Sequence, residues 1–143
     1  MIIKSETLED FFINKINKLS CRDDTKAYIV NLFSNINTNN LSNEIICLEY
    51  LNAREKYNFE KYQNIGDWIL FVKTLYPTSL NNASEDYYFS LAQSSYYKCY
   101  IMINKSWKLY EELSDNLPII IKDLSAELTL SSLEFPKCHS VLV

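Results

Sequence analysis

Few side chains in this sequence have both the type and the spacing to do chemistry, and the pair Gly66-Asp67 is the most informative. Asp67 sits in an apolar stretch, with Leu70, Phe71 and Thr74 three, four and seven residues on, so a helix here carries a carboxylate into apolar surroundings. Such a group must find donors, because burying it unpaired is prohibitively costly. Gly66 is the only glycine in the chain, and inside a helix it costs roughly 1 kcal/mol relative to Ala. The expected compensation is a neighbouring helix packed against the bare backbone. Two readings follow: a hydrogen-bonded knot that fixes helix register, or a small polar pocket that binds or transforms a small molecule.

Other candidates carry less. Cys138-His139 pairs a nucleophile with a base, yet adjacent residues rarely meet productively and a frayed tail does not preorganise a site. Asp23-Asp24 reads as a helix start and Glu111-Glu112 as a solvated face. The four cysteines, at positions 21, 47, 99 and 138, form no CxxC pair, which argues for free thiols and against a metal site. One histidine makes a Ser-His-Asp triad or a multi-His metal site an unlikely reading. A net charge of −4 lacks the dense basic face that nucleic acid requires, and one glycine cannot build most phosphate-cradling loops. With no secretory signal at the start and no apolar run of ~20 residues, the expectation is a cytoplasmic protein that does not enter the membrane.

The elements that must position Asp67 follow from periodicity. Apolar residues recur at helical spacing almost throughout, so the expected fold is an all-α, single-domain bundle of about six helices over 1–130. The tail 131–143 shows no clear period. The spacing predicts helices over 7–19, from 23 through the Tyr28, Ile29, Leu32, Phe33 stripe, from Ser42 to about Lys56, and from Phe59 to Tyr76, where Pro77 stops it. Asn82 with Glu85 three residues on resembles a capping box for a long central helix reaching about Ser114. Pro118 then reads as the first residue of a last helix through Leu128.

The segment from Asn64 to Phe71, then Leu75-Tyr76-Pro77 with Leu80, then Tyr87-Tyr88 and Tyr96, resembles an uncharacterised family of bacterial helical proteins. That family's signature runs Gly-Asp, an apolar Leu-Phe stretch, an aromatic-Pro turn, a Tyr-Tyr pair and a further Tyr. The likeness extends to Asp24–Leu32 and Glu112–Leu124, covering most of residues 20–128. Thr74 and Ala92 stand where the family usually has Gly. The resemblance implies an all-helical fold and no known activity. Because it groups Tyr87, Tyr88 and Tyr96 with Gly66-Asp67, it also implies that a hydroxyl from Tyr87, Tyr88 or Tyr96 donates to Asp67, whether for a knot or for a pocket between the fourth and fifth predicted helices. Gly66, Trp68 and Pro77 are then structural.

Eleven tyrosines are a heavy load. Tyrosine offers large contact area, few rotatable bonds and a polar tip, which suits a binding surface as well as a core. Tyr87 or Tyr97 is expected to reach solvent. The function this favours is binding of a protein partner or of a second copy, with no cofactor, no metal and no catalytic residues. The alternative is the Asp67–tyrosine pocket.

Overall fold

A computed structural model describes residues 7–35, 58–78 and 83–129. The helix expected over 42–56, Asn82, Cys138-His139 and the tail 131–143 lie outside the described residues. Within them the chain is all-helical: α1 (Leu8–Ile16), α2 (Asp23–Asn35), α3 (Phe59–Leu75), α4 (Glu85–Met102) and α5 (Lys108–Thr129). No strand occurs among the described residues. None of the described helices is long and apolar enough to cross a membrane.

Local chemistry sets the helix starts. Thr7, Asn58 and Ser84 each turn a side-chain oxygen onto a backbone N–H three residues on, at Asp10, Lys61 and Tyr87. Each satisfies a donor that the first turn leaves open. Ser84, rather than Asn82, therefore caps α4. α3 ends at Leu75 with Tyr76 as its C-cap, just ahead of Pro77, as the sequence suggested. At the start of α2, the backbone N–H of Arg22 donates to both carboxylate oxygens of Glu112, at 3.0 and 3.4 Å. Glu112 is thus a tether between α2 and α5 and not merely part of a solvated face.

The long helix expected to reach Ser114 is broken. α4 stops at Met102, and Asn104 and Lys105 take positive φ of 57° and 60°. The Lys105 N–H donates to the Tyr100 carbonyl at 2.9 Å and the Asn104 N–H to the Ile101 carbonyl at 3.0 Å. This is a Schellman termination with Asn in the left-handed position more often held by Gly. The chain then enters α5, which bends at Asn116 (φ −116°, ψ 16°) with Pro118 just beyond. Pro118 has no N–H to give the Ser114 carbonyl, its partner four residues back. The Gln93 side-chain amide donates to that carbonyl at 2.8 Å, while the Ser114 hydroxyl donates to the Gln93 carbonyl at 3.0 Å. The bend is thereby stitched to α4.

α3 is the buried centre. Tyr62, Ile65, Gly66 and every residue from Trp68 to Thr74 are buried, so this helix is covered on nearly all sides. α4 and α5 pack against it and each other, and the α1–α2 pair closes the remaining side through Phe12, Phe33 and Phe71, whose rings meet edge to face at 5.5 Å. Trp68 stacks on Phe71 at 6.0 Å.

Candidate functional site

Four helices converge on Asp67. From α2, the Tyr28 hydroxyl donates to Asp67 Oδ1 at 2.6 Å; from α4, the Tyr96 hydroxyl donates to the same oxygen at 2.7 Å. From α5, the Tyr110 ring meets the Tyr28 ring edge to face at 5.6 Å and lies 6.2 Å from that of Tyr96. One turn before Asp67 on α3, Gln63 Nε2 donates to the Tyr110 oxygen at 2.7 Å. Tyr28 and Tyr96 thus tie α2 and α4 to Asp67 directly, while the Gln63–Tyr110 bond ties α3 to α5 beside them.

Gly66 makes this arrangement possible. A Cβ at position 66 would lie 2.8 Å from Tyr96 Cζ and 2.9 Å from both Cε carbons. The Tyr96 ring therefore rests directly on the α3 backbone, which is the close approach expected of the chain's single glycine. That contact sets its hydroxyl within reach of the next residue's carboxylate.

The electrostatics follow from burial. Loss of water raises the Asp67 carboxyl to about 6, and the two phenol donors pull in the opposite direction without cancelling it. Asp67 is half-buried as a residue, and its Oδ2 accepts no hydrogen bond from the described residues. Desolvation and the facing carboxylate drive the Tyr28 and Tyr96 phenols well above their usual range. Tyr110 rises to about 12 through burial, and burial with the Asp67 charge takes the Cys99 thiol to about 12. All four stay protonated at neutral pH, so Asp67 is the one member of the cluster poised to take up or release a proton.

Of the three tyrosines implied as donors, Tyr96 reaches Asp67. Tyr88 is buried with Lys73 Nζ 5.4 Å from its ring centroid, and Tyr87 is 41 % exposed and packs edge to face on Tyr88. Tyr28 is the second donor, and Tyr110 packs its ring against both donors. The sequence held a signal for Tyr28: a phenol inside the core-facing stripe of α2 needs a partner for its polar tip. Two cavities are described elsewhere. One, of about 560 Å³, lies between α1 and α2 and is lined by Glu9, Ile13, Lys26 and Val30 among others. The other, of about 170 Å³, lies beside the α5 bend at Cys21, Glu112 and Asn116. Asp67 lines neither. Among the described residues no group of three or more His, Cys, Asp or Glu could hold a metal ion.

No family model, no curated protein and no solved structure matches this chain.

Proposed function

We propose that this chain works by binding, using the aromatic outer side of α4 to engage a protein surface, a second copy being the first partner to test. The observation that supports this is the exposure of Tyr87 and Tyr97, at 41 % and 48 %. At 100° and 1.5 Å per residue they stand roughly 80° apart around α4 and about 15 Å apart along it, on one outer side. Half-exposed tyrosine rings on a rigid helix offer contact area at low entropic cost. The hydrogen bonds that join α2 and α4 to Asp67 on α3 fit a scaffold that holds this surface stiff. The same reading places the protein in the cytoplasm and carries the likeness to the bacterial helical family.

Sedimentation velocity over a wide concentration range tests it. Wild-type protein is expected to self-associate, and Tyr87→Ser/Tyr97→Ser to remain monomeric with an unchanged helical spectrum. A wild-type monomer at every concentration, with no cross-linked protein neighbour in cells, overturns the reading. The second reading is a small-molecule pocket at Asp67, favoured by the Oδ2 lone pairs that no described residue engages. It predicts ligand-dependent thermal stabilisation that Asp67→Asn abolishes.

A further inference from the structure

The Asp67 network is joined to the surface by a chain of aromatic rings. Trp107 is 57 % exposed and lies nearly parallel to Tyr110, with centroids 6.1 Å and planes 24° apart. The fully buried Tyr110 ring meets Tyr28 at 5.6 Å and Tyr96 at 6.2 Å. Indole and phenol are readily oxidised side chains, and neighbouring rings at van der Waals contact exchange electrons easily. A phenol gives up an electron readily only when its proton leaves with it, since the oxidised phenol is a very strong acid. Tyr28 and Tyr96 have a carboxylate oxygen already at 2.6 and 2.7 Å, within the reach a proton acceptor needs. Tyr100 is the contrast: its hydroxyl accepts from Lys108 Nζ at 3.0 Å, a cation that cannot take a proton.

We propose that Trp107, Tyr110, Tyr28 and Asp67 form a proton-coupled relay that carries an oxidising equivalent from the exposed indole to the half-buried Tyr28 phenol. The substrate class is a one-electron oxidant arriving at Trp107. It removes one electron from the indole, leaving an indole radical cation. One electron then passes from Tyr28 through the Tyr110 ring to Trp107, while the Tyr28 phenolic proton crosses to Asp67 Oδ1. The products are restored Trp107, a neutral Tyr28 phenoxyl radical and protonated Asp67. One positive and one negative charge are consumed together, and no further reactant is needed. Packing of the half-buried Tyr28 ring against Tyr110 hinders coupling of the phenoxyl radical with a second tyrosyl radical in solution. Desolvation also makes Asp67 a stronger base than a surface carboxylate, while leaving it mostly ionised at neutral pH.

Flash photolysis of the full chain with photogenerated tris(bipyridine)ruthenium(III) tests the relay. In wild type the broad visible band of the indole radical should decay as the narrow violet phenoxyl band rises. Trp107→Phe should remove that coupled rise, and Tyr28→Phe/Tyr96→Phe should leave the indole radical without its phenoxyl successor. Asp67→Asn keeps an acceptor for both phenols but no base, so the rise should slow by roughly 100-fold, the low end of what a positioned base contributes. Should that variant fail to fold, the wild-type pH profile decides. The rise should slow as pH falls through about 6 and Asp67 becomes protonated. The other titratable groups facing Asp67 are Tyr28 from α2, Tyr96 and Cys99 from α4 and Tyr110 from α5, all raised and neutral across that window. An unchanged rise in folded Asp67→Asn, a flat pH profile, or a phenoxyl signal lost in Tyr87→Phe/Tyr97→Phe but kept in Tyr28→Phe/Tyr96→Phe overturns the relay.

Discussion

Replacing Gly66 with Ala should destabilise the protein, although the same change at an ordinary helical site would stabilise it. The added Cβ would stand 2.8–2.9 Å from three carbons of the Tyr96 ring, whereas non-bonded carbons rest at ~3.5–4.0 Å. The ring must then withdraw by roughly 0.6 Å or more. It is fully buried, and its hydroxyl lies 2.7 Å from Asp67 Oδ1. A retreat of that size carries the bond past the ~2.5–3.0 Å range of an O–H···O bond. Overpacking costs ~1–3 kcal/mol and a lost hydrogen bond to a charged group ~1.5–3 kcal/mol. Against these stands a gain of about 1 kcal/mol from the better helix former. The net loss is roughly 1.5–5 kcal/mol.

For a chain of this length that loss corresponds to a fall in Tm of roughly 5–20 °C, measurable by circular dichroism at the helical minimum. A second background isolates the cause. Tyr96→Leu removes the ring carbons that the new methyl would meet, so Gly66→Ala introduced into Tyr96→Leu should now raise stability by about 1 kcal/mol. The reversal of sign is the diagnostic result. A Tm that stays level or rises when Gly66→Ala is made in the wild-type chain would refute the argument that the glycine exists to admit the ring.

Asp67→Ala should lower Tm markedly, because it strands the fully buried Tyr96 hydroxyl, at ~1–3 kcal/mol, together with that of the half-buried Tyr28. Asp67→Asn keeps the acceptor and removes the desolvated charge, so at pH 7 it should cost little or even stabilise; a loss equal to that of Asp67→Ala would refute this. The two chains should also differ in pH dependence. With the folded carboxyl at about 6 against 3.8 for the free group, the folded protein holds this proton more tightly. The contribution of Asp67 is therefore full below about pH 4 and is lost as pH rises through about 6. The difference amounts to up to about 3 kcal/mol, read as wild-type minus Asp67→Asn stability in urea titrations at several pH values. At the α5 bend, Gln93→Met should cost about 1–3 kcal/mol by depriving the Ser114 carbonyl of its donor, and adding Pro118→Ala should recover part of it by restoring a backbone N–H. No recovery in the double variant would show that the carbonyl is satisfied by other means.

How much of this was legible depends on whether the signal was local. The apolar stripes gave an all-helical chain, and Gly66 beside Asp67 inside such a stripe announced both a close approach and a carboxylate needing donors. Tyr96 stands among the expected donors without any local signal in α4 that marks its hydroxyl as the one that reaches Asp67, 29 residues away. Tyr28 was not singled out, since it lies 39 residues from Asp67 and a tyrosine in an apolar stripe reads the same whether its hydroxyl is bonded or merely packed. The break after Met102 was hidden because Asn104, not Gly, occupies the left-handed position. The bend in α5 depends on Gln93, a polar residue on another helix, to supply what Pro118 lacks. Glu112 looked solvated because its partner is a backbone N–H, which leaves no trace in side-chain patterning.

One feature of the knot is more than structure requires. Two phenols donate to a single oxygen of Asp67, and the other oxygen takes no bond from the described residues. An asparagine would accept the same two bonds through its carbonyl oxygen, set the same register across α2, α3 and α4, and escape the desolvation that raises the acid to about 6. As a holder of helices, then, the acid does no better than the amide and costs stability at neutral pH. What the amide lacks is the ability to receive a phenolic proton at that oxygen and retain it. A ring chain that begins at an exposed indole and ends on the phenol bonded there gives that difference a use. The comparison of Asp67→Ala with Asp67→Asn therefore separates two roles at one residue: the first substitution removes the joint, and the second leaves the joint while removing the base.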